Sequence, residues 1–343
     1  MPAGLTPPVA AARSRLSDRQ KDLIQTFAAL GSLVALVAAF SLTSPAFLSL
    51  GNGMSIGLQV TSIALLGIGA TVVIVAGGID LSVGSVLALA GVVAALCVKE
   101  LGLAVPLAML AGIGVGGVCG LVNGLVVTRL KLPPFIATLG MMLIARGLAL
   151  QITGARAVSG LGESFGELGN GALLRLVRVG DDGFPEVLFP GIPYPVLLMA
   201  GLALAVAFLL RRSVIGRHVY AVGSNAEAAR LSGVAVDRVV TLTYVLSGLL
   251  AGLTGCVLMS RLVTAQPNEG VMYELDAIAS AVIGGTSLAG GVGTISGTVI
   301  GAFVIGILRN GLNMNGVSAF TQQIVIGLVI LLTVWIDQLR NRR

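Results

Sequence analysis

Ten stretches of this chain are apolar and long enough to cross a bilayer, and this constrains the fold more than any other feature. A span needs about 20 apolar residues to cross a hydrocarbon layer of about 30 Å. Such runs lie near 24–43, 55–78, 82–98, 103–128, 134–152, 193–210, 238–260, 274–290, 293–313 and 318–337. No water reaches a backbone at that depth, so each run must satisfy its own N–H and C=O groups, and a helix does so. The expected fold is therefore all-α: a polytopic membrane protein with about ten transmembrane helices packed as a dense, glycine-rich bundle. Only 10% of the 343 residues are charged, against about a quarter in soluble domains. The net charge of +6 accordingly bears on topology, and nucleic acid is not an expected partner.

Basic residues test the orientation, because cytosolic loops carry the excess of Lys and Arg. With the N-terminus inside, the cytosolic segments hold fourteen of the 21, including Arg13, Arg15, Arg19, Lys21, Arg129, Lys131, Arg211, Arg212, Arg217, Arg230 and Arg238. External segments hold five: Lys99, Arg156, Arg175, Arg178 and Arg261. Both termini are expected inside. Residues 1–23 form a cytosolic tail, 24–337 the transmembrane domain and 338–343 a second tail. Two loops stand out, an external one at 153–192 and a basic one at 211–238. The external loop is acidic and proline-bearing, and both a protein-docking role and a floppy insertion fit it. The runs at 274–290 and 293–313 are separated only by glycine-rich sequence and could instead form a re-entrant pair.

Glycine recurs every four residues at Gly112, Gly116, Gly120 and Gly124, again at Gly293, Gly297 and Gly301, and at Gly248 with Gly252. Small residues at this spacing let helix backbones approach closely in lipid. No inverted repeat is evident.

Several polar groups interrupt the runs. Asp80 lies in Gly77-Gly78-Ile79-Asp80-Leu81-Ser82-Val83-Gly84-Ser85. It can cap a helix beginning at Leu81, with Ser82 and Ser85 as further donors; a coupling role is the other reading. Arg146 sits about twelve residues into its run, roughly 18 Å deep at 1.5 Å per residue. It must snorkel or pair with an acid. Gln59, Asn123, Thr138 and Asn310 either line a polar path or join helices. Of the ionisable residues only Arg146 reads as deep, which favours an energy source outside this chain. No catalytic set, no phosphate-binding GxxxxGK[ST] and no Cys/His cluster is present, so neither enzyme activity, a metal nor a cofactor is expected.

Within 211–238, Ser224-Asn225 followed by Ala226-Glu227-Ala228-Ala229-Arg230-Leu231 reads as a short capped helix with Gly233 as its stop. An ordinary solvated basic loop is the plain reading, and a handle for a cytosolic partner the sharper one. The spelling favours the handle. Glu227-Ala228-Ala229, three residues, then Gly233 resembles the EAA---G coupling loop of bacterial ABC importer permeases. Gly216-Arg217, Tyr220-Ala221, Gly223, Asn225 and Ala228-Ala229 resemble the form found in the ribose/xylose/galactose class. Further blocks resemble the same class in order: Gly77 to Ser85, Leu132 to Met141, Ala145 to Leu148, Glu274 to Ala279 and Ile283 to Gly291. Together they run from about residue 50 to the C-terminus. The first forty residues and the 153–192 insertion are longer than that pattern. The proline that ends the general motif is missing, as is usual in the subclass.

The resemblance implies a permease subunit in the bacterial inner membrane, paired with a second permease copy. Its other implied partners are a cytosolic ATPase and a periplasmic sugar-binding protein. It implies an ATPase-coupling role for Gly216, Arg217, Tyr220, Asn225, Glu227, Ala228, Ala229 and Gly233. An ion-coupled carrier and a non-transporting scaffold are the competing functions. The segment Glu274–Gly291 is expected to form a moving gate or pathway through Asp276, Ala279, Ser280, Gly284, Gly285 and Thr286. Acids open it, which suits a helix N-terminus. Gly284-Gly285 is expected to interrupt its middle. Ala279, Ser280 and Ala281 are small enough for two copies to meet across a two-fold axis; a plain packed span is the other reading. Asp80, Ser82, Asn123 and Arg146 are expected to serve as structural polar groups within the membrane.

Overall fold

The computed structural model describes residues 18–179 and 185–341. Most of the expected N-terminal tail, residues 180–184 and the last two residues lie outside this set. Helices α1 (Asp18–Thr43), α2 (Leu50–Val75), α3 (Val83–Lys99), α4 (Val105–Thr128) and α5 (Pro134–Thr153) come first. Next come α6 (Glu163–Asn170), a small β arm, and α7 (Tyr194–Arg212). The exposed loop holds α8 (Val214–Ser224) and α9 (Ala226–Leu231). The remainder is α10 (Val236–Leu262), α11 (Tyr273–Ile283), α12 (Ile295–Met314) and α13 (Ala319–Asn341).

Among the described residues six helices are long and apolar enough to span: α2, α4, α5, α7, α10 and α12. The apolar stretches 29–43, 83–99 and 319–332 of α1, α3 and α13 are shorter. The eighth expected span is corrected. The helix in 274–290 is only 11 residues long, roughly 16 Å, about half of the hydrocarbon layer. Gly284 and Gly285 do not interrupt it but end it. The chain then turns before α12, so this is a half-helix followed by a full one.

The described residues of the loop at 153–192 carry secondary structure. Besides α6 it contains β1 (Ala172–Leu173) paired with β4 (Ile192–Pro193), and β2 (Leu176–Val179) paired with β3 (Pro185–Phe189). Both pairs are antiparallel, with a bulge between Leu176 and Val177. Proline at the ends of β3 and β4 suits edge positions, where no ladder donor is needed.

Helices α2 and α10 form the centre. Of their apolar windows 89% and 72% is buried, against 22% for α5 and α7. They run antiparallel: Gly69 packs on Ser247, whereas Gln59, Ser62 and Ile63 face Leu258 and Arg261 at the other end. Around them the bundle repeats itself. Helices α3 and α4 pack on each other and on α10; α11 and α12 pack on each other and on α2. Outside these, α5 flanks α3 and α4 while α13 flanks α11 and α12. Because α2 and α10 point in opposite directions, α2–α5 and α10–α13 are related as an inverted pair. The sequence hides this relation, since packing positions and not residue identities repeat.

The glycine ladder explains the closest contact. A Cβ at Gly116 would lie 2.3 Å from the Gly248 carbonyl and 2.9 Å from Gly252 Cα. A Cβ at Gly248 would lie 2.2 Å from the Gly116 carbonyl. So α4 and α10 touch backbone to backbone, and lipid offers no hydrophobic drive to replace that dispersion. Gly114, on the other face of α4, has nothing within 4 Å. We expect Gly116→Ala to destabilise the detergent-solubilised protein by roughly 1–3 kcal/mol, as overpacked cores do, and to lower its unfolding temperature. Gly114→Ala should leave that temperature unchanged or raise it slightly. Equal effects of the two substitutions in a thermal melt would contradict this packing.

Candidate functional site

Each motif residue is positioned by a local device. Ser213 Oγ accepts from the Gly216 N–H at 3.0 Å and starts α8. Gly216 is pressed on the Leu209 and Leu210 carbonyls, where a Cβ would lie 2.1 Å from one of them. Asn225 Oδ1 accepts from the Ala228 N–H at 2.9 Å and starts α9 as expected. Gly233 follows its end at φ +84°, a conformation that costs a side-chain residue about 1 kcal/mol or more. Only Ala229 of α9 is buried. Arg217, Glu227, Ala228 and Arg230 are exposed, and Leu231 is 83% exposed. Glu227 and Asp237 flank Arg230 at 3.6 and 3.8 Å; in water such pairs contribute little. Leu231 was not singled out from sequence. An apolar side chain left in water beside a charged ridge was the available signal.

The rest of the loop reaches inward. Helix α8, which the sequence reading did not foresee, lays its end against two other segments. Tyr220 donates its hydroxyl to the Gly293 carbonyl at 2.7 Å. The Gly291 N–H donates to the Val75 carbonyl at 2.9 Å. Gly223 lies between them, so close that a Cβ there would fall 1.7 Å from the Val75 oxygen and 2.7 Å from the Gly291 nitrogen. Gly290 approaches Gly77 Cα to 3.2 Å by the same measure. The exposed loop, the end of α2 and the turn before α12 thus meet at one glycine-lined junction.

Next to this junction lies a buried polar hub. Asp80 is 2% exposed. The expectation that it caps a helix from Leu81 is corrected: α3 begins at Val83 after Ser82. Asp80 Oδ1 instead accepts from the Ser82 N–H at 3.0 Å and the Ser82 hydroxyl at 2.6 Å. Its Oδ2 accepts from the Ser247 hydroxyl of α10 at 2.8 Å. Asn123 of α4 donates to Ser82 Oγ at 2.9 Å, and Tyr244 of α10 donates to the Ile79 carbonyl at 3.2 Å. The break between α2 and α3 is thereby tied to α4 and α10. Sequence reasoning missed Ser247 and Tyr244, because their contacts span 165 residues or more.

Arg146 feels the charges of Glu274 and Glu269, as the pairing expectation has it, although its hydrogen bonds go to backbone carbonyls. Its guanidinium donates to the Pro267 carbonyl and, at 2.8 Å, to the Glu269 carbonyl. It pins the turn that leads into α11. Asp80 and Asp276 are more completely buried than Arg146. Asp276 Oδ1 accepts from Arg309 of α12 at 2.8 Å. Ala279, Ser280 and Ala281 are at most 2% exposed within this chain. Their neighbours are its own helices: a Cβ at Gly67 would meet Ser280, and one at Gly301 the Ser280 carbonyl. They therefore do not offer a face to a second copy, and that part of the gate expectation is corrected. Gly284 packs on Gly297, and Thr286 is buried beside Gly293. Among the described residues no His/Cys/Asp/Glu group is arranged to hold a metal, and the three cysteines are free.

A bundle with these six long apolar helices and an exposed basic loop is a multi-pass membrane protein. The chain belongs to the family described as branched-chain amino acid transport system / permease component, whose profile matches residues 52–334. It is a transport component of the inner membrane. It is 44% identical over 323 residues to the ribose import permease protein RbsC of Escherichia coli (strain K12), covering 93% of each chain. It is 42% identical over 309 residues to RbsC of Bacillus subtilis (strain 168), covering 90% of this chain and 91% of that one. Against the xylose transport system permease protein XylH of Escherichia coli (strain K12) it is 37% identical over 366 residues, covering 93% of each. No solved structure matches it.

If the hub holds the α2–α3 break, Asp80→Ala orphans donors on Ser82 and Ser247. Each buried orphan costs about 1–3 kcal/mol. The expected result is a clear loss of thermal stability in detergent. Ser247→Ala, which removes a donor and leaves the carboxylate two others, should cost less. A melt of Asp80→Ala at the wild-type temperature would contradict this role.

Proposed function

We propose that this chain is the permease subunit of an ATP-binding-cassette importer and forms the path for a sugar of pentose or hexose size. The observation that carries this reading is the seating of α8 and α9. A short capped helix, exposed on its outer face, is joined without slack to both breaks in the bundle. A partner that moves α9 moves Tyr220, Gly223 and Ser224, and through them Val75, Gly77 and Gly290–Gly293. A rigid element wedged against a moving domain transmits displacement that a flexible loop would absorb. The relatives, ribose import and xylose transport permeases by name, support the same reading and its substrate class.

In this reading Gly216, Arg217, Tyr220, Asn225, Glu227, Ala228, Ala229 and Gly233 form the ATPase-coupling surface, with Leu231 beside them. ATP is hydrolysed on a separate cytosolic subunit, and this chain is neither an enzyme nor a cofactor carrier. A periplasmic binding protein delivers the sugar, and a second permease copy completes the path. Both termini and α8–α9 are cytosolic, as the basic residues indicate. With α11 and the turn that follows it counted as one crossing, the crossings number ten, an even number that keeps both termini on one side. The half-helix is the gate: it ends at Gly284 and Gly285, with Gly284 packed on Gly297 of α12, and Arg146 anchors the turn at its outer end.

The inverted arrangement of the two halves is one that ion-coupled carriers also use, so the energy source needs its own test. Reconstituted with the ATPase and the binding protein, the permease should accumulate D-ribose or D-xylose only with ATP inside, and a protonophore should not change the rate. Uptake without ATP that collapses with the ion gradient would overturn the reading. Tyr220→Phe removes one hydroxyl, the one donated to Gly293. It should lower sugar moved per ATP hydrolysed about threefold to tenfold, the effect of one net hydrogen bond of about 1 kcal/mol or slightly more. Basal ATP hydrolysis should stay near normal. An unchanged ratio would remove this contact from the coupling route.

A further inference from the structure

The segment 263–272 joins α10 to the half-helix α11, and both of its ends are strained. Val263 has φ +50° and Met272 φ +69°, a region that a non-glycine residue rarely enters and a β-branched one least of all. At the end of α10 the Thr264 N–H donates to the Met259 carbonyl and the Val263 N–H to the Ser260 carbonyl. Glycine is the usual residue where Val263 stands in such a closing turn. Met272 precedes α11, whose start has no side-chain cap. Backbone of this kind persists only where its surroundings hold it.

Most of the holders come from one stretch of chain, 146–170. Val158 and Ala265, both buried, exchange two backbone hydrogen bonds of 2.8 and 2.9 Å. A Cβ at Gly166 of α6 would lie 3.0 Å from a Val263 methyl, so α6 rests against the strained residue. The Gly169 N–H donates to Ser260 Oγ, which donates to the Phe165 carbonyl. Asn170 donates to the Ser260 and Arg261 carbonyls. Arg146 takes the carbonyls of Pro267 and Glu269. On the opposite side Gly270 packs on Gly84 of α3. The stretch 146–170 continues into the β arm, where Leu174, Leu176 and Val177 are exposed.

We propose that 263–272 is a strap holding the start of α11, and that a binding protein docked on the external loop opens the gate by drawing 146–170 away from it. This rests on the importer reading and adds how the outer partner reaches the gate. With Val158 and α6 withdrawn, Val263 returns to ordinary backbone, the strap changes direction and α11 follows. The strain favours release, and the grip of 146–170 opposes it until the partner arrives.

The test uses the permease reconstituted with the ATPase and the binding protein, with D-ribose uptake as readout. Residues in a doubly hydrogen-bonded antiparallel pair lie about 5.5 Å apart between Cα atoms, within reach of a disulfide. Oxidising the pair Val158→Cys with Ala265→Cys should lower uptake about tenfold or more, and a reductant should restore it. The native protein treated alike should be unaffected. Val263→Gly removes the strain without touching the coupling loop. It should leave the unfolding temperature in detergent unchanged or raised, yet lower uptake about fivefold to thirtyfold, the left-handed penalty converted to a ratio. A residue that only supports the fold would not combine full stability with slow uptake. Uptake at the native rate in the fully cross-linked importer, or in Val263→Gly, overturns the proposal and leaves the importer reading standing. A native importer that moves no sugar with ATP present overturns the importer reading itself.

Discussion

A helix that stops inside a bilayer must hand its free backbone groups to other protein groups, because neither lipid nor water takes them. In this chain a first break follows the full span α2 at Val75, and α11, too short to cross, stops after Ile283. The rest of the structure answers that constraint. At the first break the Ile79 carbonyl is taken by Tyr244, and the Asp80 carboxylate holds Ser82 and Ser247. At the second, backbone bonds close the Ala281–Val292 turn, and Tyr220 takes the Gly293 carbonyl. The Val75 carbonyl at the end of α2 is satisfied by Gly291 from the other break. The two interruptions therefore complete each other, and the exposed loop lies against both.

That arrangement joins fold to transport. A continuous span can tilt or slide but cannot open locally without losing its own hydrogen bonds. A broken span already has its ends tied to neighbours, so a small shift of those neighbours moves it as a unit. Glycine makes the ties short. At Gly223, Gly290 and Gly291 the backbones themselves are in contact, leaving no side chain to bend under load. The glycine ladder of α4 and α10 gives the other side of the hub the same stiffness.

Much of this was legible in the sequence, for physical reasons. Nine of the ten apolar runs are helices because twenty apolar residues in lipid have no other way to satisfy a backbone. The α9 cap at Asn225 and the left-handed stop at Gly233 follow from local chemistry alone. The eighth run, 274–290, was misjudged because glycine serves two purposes in it: Gly284 both ends α11 and packs on Gly297. The partners of Ala279 and Ser280 could not be read, since a small residue shows that something comes close but not what. Ser247 is remote from Asp80 in the chain, so the hub is visible only in three dimensions. The β arm at 172–193 was hidden because prolines there punctuate a loop as readily as they end an edge strand. The inverted pairing of α2–α5 with α10–α13 leaves no mark on residue identities.

The central claim is that the exposed loop and the turn between α11 and α12 move together as one body under ATPase drive. Spin labels at positions 231 and 288, both exposed, report that relation in the assembled importer. A second pair at 231 and 110, the latter on the outer face of α4, reports motion of that body against the bundle. Between the nucleotide-free and ATP-trapped states the account predicts an unchanged 231–288 distance and a changed 231–110 distance. A 231–288 distance that shifts between the two states would contradict it.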